Sequence, residues 1–397
     1  MAVKNRISGV ICEFNPLHNG HAALLRHIRQ ETGGPIVCVM SGNFVQRGEA
    51  AALDKWSRTR LALQNGADLV LELPLPWAMS GAEHFAFGGV ALLQALGCVE
   101  DLWFGSESGN ADALAQIAAY LLSPAFSHDI QPFLAQGLSF AAARGKALES
   151  ALGPEAAALN EQPNNILGIE YCKALLKIHS VMQPHTIRRF HVEHDATAAS
   201  ENFASASLLR RMSAAGESIS PFVPPETDAC IQALLKKKQY PATLSYLARG
   251  ILGYLSTCPL EALRNTPDVS EGIENRIQAA AGAASSLEEL YDLVKSKRYS
   301  HARIRRITLG AYLGLNKDLP EMPPYIRVLG ISDAGTEILR AAKPALPYVT
   351  RPADIKKLPT EAQRLFELEA RADDLYALCT QARRPAKMDY TEKLIRV

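Results

Sequence analysis

Residues 9–28 constrain the fold most, because an apolar run, a turn and a helical pattern follow one another there. The run Gly9-Val10-Ile11-Cys12 predicts a buried strand, and the apolar spacing over residues 22–28 predicts an amphipathic helix. The turn between them, Phe14-Asn15-Pro16-Leu17-His18-Asn19-Gly20-His21, places two histidines where the helix begins. Backbone N–H groups and the helix dipole favour an anion at such a position, so the segment predicts phosphate binding.

The two histidines of this turn also indicate a reaction. His18 and His21 are three residues apart, a spacing that lets both imidazoles face one bound phosphate chain. Their N–H groups can hold phosphate oxygens and stabilise the charge that develops as pyrophosphate leaves the α-phosphorus. The motif therefore predicts nucleotidyl transfer without a covalent intermediate. The alternative, two histidines on an unremarkable surface loop, is less consistent with their place between a strand and a helix.

Strand and helix patterns alternate through the first hundred residues. Further strands are predicted at 36–40, 68–73 and 101–104, and helices at 54–64, capped by Asp54, and at about 82–96. This alternation predicts an α/β fold with a Rossmann-like parallel sheet and right-handed crossovers. Another strand is predicted at 186–192, after a mostly helical stretch.

The loops that follow the strands predict where a ligand binds, because parallel sheets bind ligands beyond the carboxyl ends of their strands. Arg47 and Lys55 are the cations predicted to reach a phosphate or a carboxylate substrate. The alternative for Lys55 is a solvated helix face that it shares with Arg58 and Arg60. Three of the loops carry glycine and polar residues: 14–21, 41–48 and 105–109.

A second phosphate-binding pattern lies at residues 204–211, Ala-Ser-Ala-Ser-Leu-Leu-Arg-Arg. Serine hydroxyls and N-terminal amides of a helix can bind phosphate oxygens, and Arg210 adds a charge-assisted hydrogen bond. Serine is a common N-cap, so this pattern predicts a nucleotide site only in combination with the histidine motif. Asn164 or Asn165 is predicted to cap the helix that follows residue 163.

The second half of the chain reads as mostly helical. A proline-rich stretch near residue 220 predicts a boundary between a nucleotide-binding domain, 1–220, and a mostly helical domain, 221–397, to which residues 323–330 add a short strand. Within it, residues 295–306 hold six Lys or Arg side chains, one tyrosine and no acid, which predicts contact with an RNA backbone. The alternative is a solvated helix face.

Composition limits the remaining possibilities. A net charge of +1 over 397 residues leaves no global field for nucleic acid, so RNA binding requires a local patch. The seven cysteines lack Cys-x-x-Cys spacing, so neither a disulfide framework nor a structural zinc site is predicted. The N-terminus lacks a signal-peptide pattern, and Glu72, Pro74 and Pro76 interrupt the most apolar stretch. We therefore expect a cytoplasmic protein that does not bind membranes.

Several motifs together resemble a known family. The pair His18-Asn19-Gly20-His21 and Ser205-Ala206-Ser207-Leu208-Leu209-Arg210 resembles the HxGH nucleotidyltransferase superfamily. Longer runs at residues 13–21, 40–49, 66–74 and 297–299 resemble the bacterial tRNA(Met) cytidine acetate ligases, and the resemblance extends over nearly the whole chain. Ala50 departs from the expected proline, and Ala206-Ser207 departs from the superfamily's Ser-Thr. Neither departure changes the reaction class.

The resemblance implies an ATP-dependent ligase. Such an enzyme joins acetate to AMP and then transfers the acetyl group to N4 of the wobble cytidine, position 34, of elongator tRNA(Met). It implies ATP with its Mg²⁺, acetate and this tRNA as ligands, without coenzyme A. Two alternatives are an adenylyltransferase for a small cofactor precursor and a non-catalytic RNA-binding protein with this fold. The basic segment argues against the first, and the intact histidine motif argues against the second.

The resemblance and the residue patterns together assign the site. His18, His21 and Lys55 are the predicted catalytic residues, and no protein ligand for a metal is predicted. With Arg47 and Arg188, these three are the cations predicted to offset repulsion between acetate and the α-phosphate. The predicted acetate site is Asn43, Gln46 and Arg47. The predicted tRNA contacts are Lys295, Lys297, Arg298, Tyr299, Arg303, Arg305 and Arg306. The predicted ATP contacts are Ile11, Cys12, Glu13, Phe14, Asn15, Pro16, Leu17, His18, Asn19, Gly20, His21, Leu24, Gly105, Asn165, Arg188, Arg189, Ser205 and Arg210.

Overall fold

The computed structural model describes residues 5–189, 203–270, 272–296, 298–318 and 320–397. Strands and helices alternate in its first hundred residues, as predicted. In chain order the first half contains β1 (Ser8–Cys12), α1 (Asn19–Thr32), β2 (Ile36–Ser41), β3 (Phe44–Val45), β4 (Glu49–Ala50), α2 (Lys55–Gln64), β5 (Leu69–Leu73), α3 (Leu75–Ala78), α4 (Ala82–Leu96), β6 (Asp101–Ser106), α5 (Ala111–Leu121), α6 (Pro124–Asp129), α7 (Gln131–Ala135), α8 (Phe140–Leu152), α9 (Pro154–Leu159), α10 (Pro163–Lys177) and β7 (Gln183–Arg188).

The second half is mostly helical but also contains strands. Two short 3₁₀ turns lie at Ser220–Phe222 and Leu244–Leu247. The other elements are α11 (Ala206–Ala214), α12 (Pro225–Lys236), α13 (Ala248–Thr257), α14 (Leu260–Arg264), α15 (Ile273–Ala283), α16 (Leu287–Val294), α17 (His301–Leu313), β8 (Ile326–Ile331), α18 (Asp333–Ala341), β9 (Tyr348–Val349), α19 (Pro352–Ile355), α20 (Thr360–Tyr376), α21 (Met388–Thr391) and β10 (Ile395–Arg396).

A mostly parallel sheet forms the centre of the protein. Its strands run in the order β10-β8-β5-β2-β1-β6-β7, and β9 pairs with β8. The pairs β5-β2, β2-β1, β1-β6 and β6-β7 are all parallel, which confirms the predicted α/β class. Every residue of β1, β2 and β5 is buried, as expected for parallel strands covered on both faces. One apolar core lies between the sheet and α4 and α10, and the other between the sheet and α1 and α2.

The strand predicted at 323–330 belongs to this sheet and not to the helical half. It is observed as β8, which pairs antiparallel with β5, while β10 pairs in parallel with β8. The chain therefore returns to the sheet after its helical segment, and the predicted boundary at residue 220 divides the sequence but not the sheet. The other late strand, predicted at 186–192, is observed as β7 at Gln183–Arg188, and residues 190–192 lie outside the described part.

Helices α13 and α15–α17 build a separate core beside the sheet. Leu255, Leu290 and Ile307 are buried in it. The short antiparallel hairpin of β3 and β4 contributes Phe44 and Ala50 to the same core. The loop that follows β2 therefore packs against the helical segment and connects this segment to the end of the sheet. In the described part of the chain, no helix combines the length and apolarity that a membrane crossing requires.

Candidate active site

A cleft opens beyond the carboxyl ends of β1 and β6, where parallel sheets bind their ligands. Its volume is about 270 Å³, and an adjoining cavity of about 210 Å³ shares part of its lining and adds Gly20 and Arg188. The cleft thus brings the histidine motif and the serine–arginine motif together. Of the residues predicted for ATP, it is lined by Ile11, Cys12, Glu13, Phe14, Asn15, His18, His21, Leu24, Gly105, Arg189, Ser205 and Arg210.

The histidine pair is fixed by the start of α1. His18 is the N-cap, and its Nδ1 accepts a hydrogen bond from the N–H of Gly20 at 3.1 Å. The Nδ1 of His21 accepts from the N–H of His18 at 3.4 Å, and the two rings stack with centroids 3.7 Å apart. Because Nδ1 of His18 is an acceptor, the neutral imidazole of His18 carries its proton on Nε2, while the ring of His21 also forms a hydrogen bond with the backbone of Pro16. The buried Nε2 of His18 has no partner among the described residues, which leaves it for a ligand.

The glycine of the motif is required by this geometry. A Cβ atom on Gly20 would lie 2.9 Å from Cε1 of His18. A side chain there would push the His18 ring away from its hydrogen bond to the helix N-terminus. The absence of a side chain at Gly20 therefore keeps the His18 ring in the position from which its Nε2–H can donate.

Both histidines are neutral at pH 7. Burial lowers the pKa of His18 to about 3, and the charge of Arg189 contributes in the same direction. Burial, His18 and Arg189 lower the pKa of His21 well below its usual value. The prediction that these side chains act as cations is therefore wrong for the ligand-free site. Burial and the neighbouring arginine disfavour the imidazolium, and the rings instead offer neutral N–H donors.

The low pKa of His18 makes stability depend on pH. Between its unfolded value of 6.5 and its folded value of about 3, the unfolded histidine binds a proton that the folded one does not. Stability is therefore lost as the pH falls below 6.5. We expect His18→Asn, which keeps a capping side chain, to make this dependence shallower by about 1.4 kcal/mol per pH unit. Urea unfolding at several pH values measures the slope, and an unchanged slope in the variant would contradict the assignment.

Arg58 holds the loops of the cleft together. Its side chain is fully buried and donates to the carbonyl oxygens of Glu13 at 2.6 Å and Ser41 at 3.0 Å, and to that of Gly42. A further bond joins it to Leu53 O at 2.9 Å. One guanidinium thus ties the ends of β1 and β2 to the start of α2. The solvated face considered for Arg58 from the sequence is wrong, since α2 is buried on more than one side.

The loop after β6 is locked to the start of α10. The Glu107 carboxylate accepts from the N–H and Nδ2 of Asn164 at 3.1 and 2.7 Å and from the N–H of Asn165 at 2.7 Å. Asn164 lines the cleft, and its Oδ1 accepts from Arg189 at 2.5 Å. Asn165, the residue predicted for ATP, is fully buried and accepts from the N–H groups of Glu107 and Ser108. Its amide therefore supports the loop and does not reach the cleft.

The hairpin after β2 contributes two of the three residues predicted for acetate. Gln46 and Arg47 line the cleft, and the N–H of Gln46 donates to Oε1 of Glu13 at 2.8 Å. Burial raises the pKa of that Glu13 carboxyl. Asn43 does not line the cleft, because it is buried with its Oδ1 accepting from the N–H of Lys55 at 2.6 Å. The structure therefore places Asn43 at the start of α2 and not at a substrate.

The serine–arginine motif closes the cleft from the other side. Ser205 is the N-cap of α11, and its Oγ accepts from the N–H of Leu208 at 3.2 Å. Arg210 donates to the carbonyl oxygen of Asn15 at 3.0 Å, which joins α11 to the histidine loop. Besides Asn165, three residues predicted for ATP are not part of the lining: Pro16, Leu17 and Asn19. Leu17 is fully buried in the core, and Nδ2 of Asn19 donates to Pro221 O at 3.1 Å.

Lys55 lies away from the cleft in a buried cluster of charges. Its Nζ is 2.7 Å from Glu72, 2.7 Å from Asp373 and 2.8 Å from Asp389. Burial alone would lower the pKa of Lys55, but these carboxylates raise it above its usual value. The prediction of a catalytic Lys55 is therefore corrected, because an ammonium enclosed by three carboxylates has no exposed surface for a substrate.

Two cations of the basic segment pair with acids from distant parts of the chain. Arg305 pairs with Glu49 at 2.6 Å, and Arg306 pairs with Asp268 at 2.7 Å. Arg303 donates to Asp268 O and packs over Tyr299, which is buried. Arg303, Arg305 and Arg306 thus acquire partners through the fold. Lys295 and Arg298 are exposed, and Lys297 lies outside the described residues.

Comparison with known proteins finds relatives over nearly the whole chain. Residues 5–391 match the family model described as HIGH Nucleotidyl Transferase. The tRNA(Met) cytidine acetate ligase of Caldanaerobacter subterraneus subsp. tengcongensis is 41% identical over 98% of this chain and 99% of its own length. That of Acetivibrio thermocellus is 37% identical over 98% of this chain and 99% of its own.

Two solved structures have the same fold over almost every residue. Apo TmcAL from Thermotoga maritima aligns with a TM-score of 0.93 and 31% identity, covering 99% of this chain and all of that one. The same enzyme bound with alpha-thio ATP aligns with a TM-score of 0.91, at equal identity and coverage. On its sequence and its fold, the chain belongs to the tRNA(Met) cytidine acetate ligases of the HIGH nucleotidyl transferase family.

Proposed function

We propose that this chain joins acetate to AMP and then acetylates N4 of the wobble cytidine of elongator tRNA(Met). We place the reaction in the cleft because a stacked pair of neutral histidines at the start of α1 faces the serine–arginine motif there. A relative with 31% identity is solved with an ATP analogue, which supports nucleotide binding by this fold.

The first step is a substitution at the α-phosphorus. An acetate oxygen forms a bond to phosphorus, and the bond to the bridging oxygen breaks so that pyrophosphate leaves. The Nε2–H of His18 and a ring N–H of His21 donate to phosphate oxygens, while Ser205 and Arg210 hold the distal phosphates. Arg47 and Arg189, which line the cleft, provide the positive charge that lets the acetate carboxylate approach.

Mg²⁺ is proposed to enter with ATP. In the part of the chain described, no group of three or more His, Cys, Asp or Glu side chains could hold a metal ion. Mg²⁺ commonly takes its ligands from substrate phosphates and water. When bound, it supplies charge neutralisation on the triphosphate.

The second step uses the reactivity of acetyl-adenylate. The exocyclic amine of cytidine attacks the acetyl carbonyl, AMP leaves with the bonding electrons, and the amine loses a proton. The adenylate is already an activated acyl donor, so coenzyme A is not part of the proposal. We assign residues 1–220 to ATP and residues 221–397 mainly to tRNA, and we place the enzyme in the cytoplasm, where its tRNA substrate is found.

Transfer of labelled acetate tests this function. Purified protein is incubated with ATP, labelled acetate and transcripts of elongator tRNA(Met) that carry cytidine or uridine at position 34. We expect label only on the cytidine transcript and only with ATP, because uridine lacks the amine. Label on both transcripts, or on neither, would contradict the proposal.

Exposed cations next to α17 are proposed to bind the tRNA backbone. Reversing both Lys295 and Arg298 to glutamate is expected to raise the Kd for tRNA roughly tenfold to a hundredfold and to lower the salt slope by about 2. Filter binding at several salt concentrations measures both quantities. Arg340→Glu, an exposed cation on α18, is the control and is expected to change neither. If the double variant binds as the wild type does, these residues are not part of the tRNA site.

A further inference from the structure

A groove adjoins the active-site cleft on the side of the β3–β4 hairpin. Arg47, Ser207 and Arg210 line both the cleft and the groove, so the two spaces are continuous. The groove continues to Leu287 and Tyr291 of α16 and to Arg305 of α17, with a volume of about 490 Å³. This lies within the roughly 300–1,000 Å³ of sites that enclose a small ligand. A nucleoside in this groove would lie next to the bound adenylate.

Arg305 presents a fixed guanidinium to this groove. Its Nη1 lies 2.6 Å from Oε1 of Glu49, and its guanidinium packs over the ring of Tyr291 at 5.4 Å. Tyr291 is itself buried, so the stacking partner cannot move freely. A guanidinium held in this way is pre-oriented for a planar or tetrahedral anion.

The Glu49 carboxylate occupies the position of such an anion. Its second oxygen lies 3.5 Å from Arg210, so the carboxylate stands between an arginine of the ATP cleft and an arginine of α17. All three side chains are partly exposed, and ion pairs in contact with water contribute little stability. Another singly charged group can therefore replace the carboxylate at small cost.

The hairpin turn links this ion pair to the nucleotide. Gly48 has φ of +71°, and a Cβ there would lie 2.6 Å from the backbone N of Arg306, so the turn rests directly on α17. Two residues earlier, the N–H of Gln46 binds Glu13 in the cleft. The position of α17 relative to the cleft is therefore set through one short turn.

We propose that this groove receives the target nucleotide of tRNA, and that a phosphodiester flanking this nucleotide binds Arg305 in place of the Glu49 carboxylate. This inference rests on the proposed function and adds a site and an anchoring residue to it. The charges agree with an RNA ligand, because four cations outnumber two acids among the described lining residues: Arg47, Arg210, Arg211, Arg305, Glu49 and Glu288.

A neutral isostere of Glu49 tests the exchange. Glu49→Gln removes the competing charge and keeps the size of the side chain. We expect it to lower the Kd for elongator tRNA(Met) roughly threefold to tenfold and to steepen the salt slope by about 1. Glu288→Gln removes one acid from the same groove without an ion pair to Arg305, and we expect a smaller change. Equal effects of the two variants, or weaker binding by Glu49→Gln, would overturn the proposal.

A change in the RNA tests the same contact with the protein unaltered. Each phosphodiester flanking position 34 is replaced in turn by a neutral methylphosphonate. We expect one of the two modified tRNAs to bind the wild type more weakly than unmodified tRNA does. With this tRNA, Glu49→Gln is expected not to lower the Kd. If Glu49→Gln lowers the Kd for both modified tRNAs as much as for unmodified tRNA, neither phosphate binds Arg305 and the assignment is wrong. Acetyl transfer by the wild type, measured on the same samples, tests the proposed function separately. If transfer occurs but Glu49→Gln does not change tRNA binding, the proposed nucleotide site in the groove is wrong and the proposed function stands.

Discussion

Replacement of His21 by alanine is expected to lower acetate-dependent ATP–pyrophosphate exchange about 10²–10³-fold, the usual effect of losing one donor to a developing charge. The reason is geometric, because His21 stacks on His18 at 3.7 Å and its Nδ1 is held by the helix N-terminus. The same ring lines the cleft, where its N–H is proposed to donate to a phosphate oxygen. Initial rates at saturating ATP and acetate measure the loss.

The control for this variant is another histidine. His128 on α6 is 89% exposed and lies outside the cleft lining, so His128→Ala is expected to exchange at the wild-type rate. The Kd for tRNA of His21→Ala is expected to stay within the error of the wild-type value, because the histidine lies in the nucleotide cleft. Wild-type exchange by His21→Ala would contradict the active-site assignment.

Replacement of Lys55 by methionine is expected to lower the free energy of unfolding by about 3–5 kcal/mol, the range for breaking a buried ion pair. Glu72, Asp373 and Asp389 would lose the ammonium that lies within 2.8 Å of each carboxylate. Arg327 pairs with Glu72 at 3.2 Å and with Asp389 at 2.5 Å, so it would compensate these two carboxylates only in part. Urea unfolding followed by circular dichroism measures the change.

A matched lysine separates burial from pairing. Lys146 makes an ion pair of the same 2.7 Å length with Glu149, but its side chain is 58% exposed. Lys146→Met is therefore expected to unfold as the wild type does. A Lys55→Met protein with wild-type stability and no exchange activity would restore the catalytic role first predicted for Lys55.

The sequence predicts the nucleotide site well where local pattern and chemistry coincide. The strand, turn and helix around His18 follow from residues close in the chain, and so does the capping serine at Ser205. Arg58 is different, because α2 is buried on more than one side and no helical period reveals that its polar residues face carbonyl groups. Because α2 has no clearly solvated face, its sequence does not indicate that Arg58 binds several backbone carbonyl groups.

Contacts between distant residues account for other features that the sequence does not reveal. The strand at β8 is recognisable as an apolar run, but its antiparallel pairing with β5 joins residues more than 250 positions apart. Arg305 and Glu49 are separated by 256 positions, so a segment without acids still acquires an acidic partner. The composition of a segment therefore gives its own net charge, but it does not show which acids from elsewhere in the chain lie beside it.

ATP–pyrophosphate exchange by the purified protein, with and without acetate, measures adenylate formation in the cleft. If the cleft joins acetate to AMP, labelled pyrophosphate enters ATP in the presence of acetate and without tRNA, because the first step is complete and reversible before RNA binds. Adding tRNA with cytidine at position 34 then diverts the adenylate to acetylated RNA. Exchange that requires another small acid or a phosphate ester, and does not occur with acetate, would show that acetate is not the substrate.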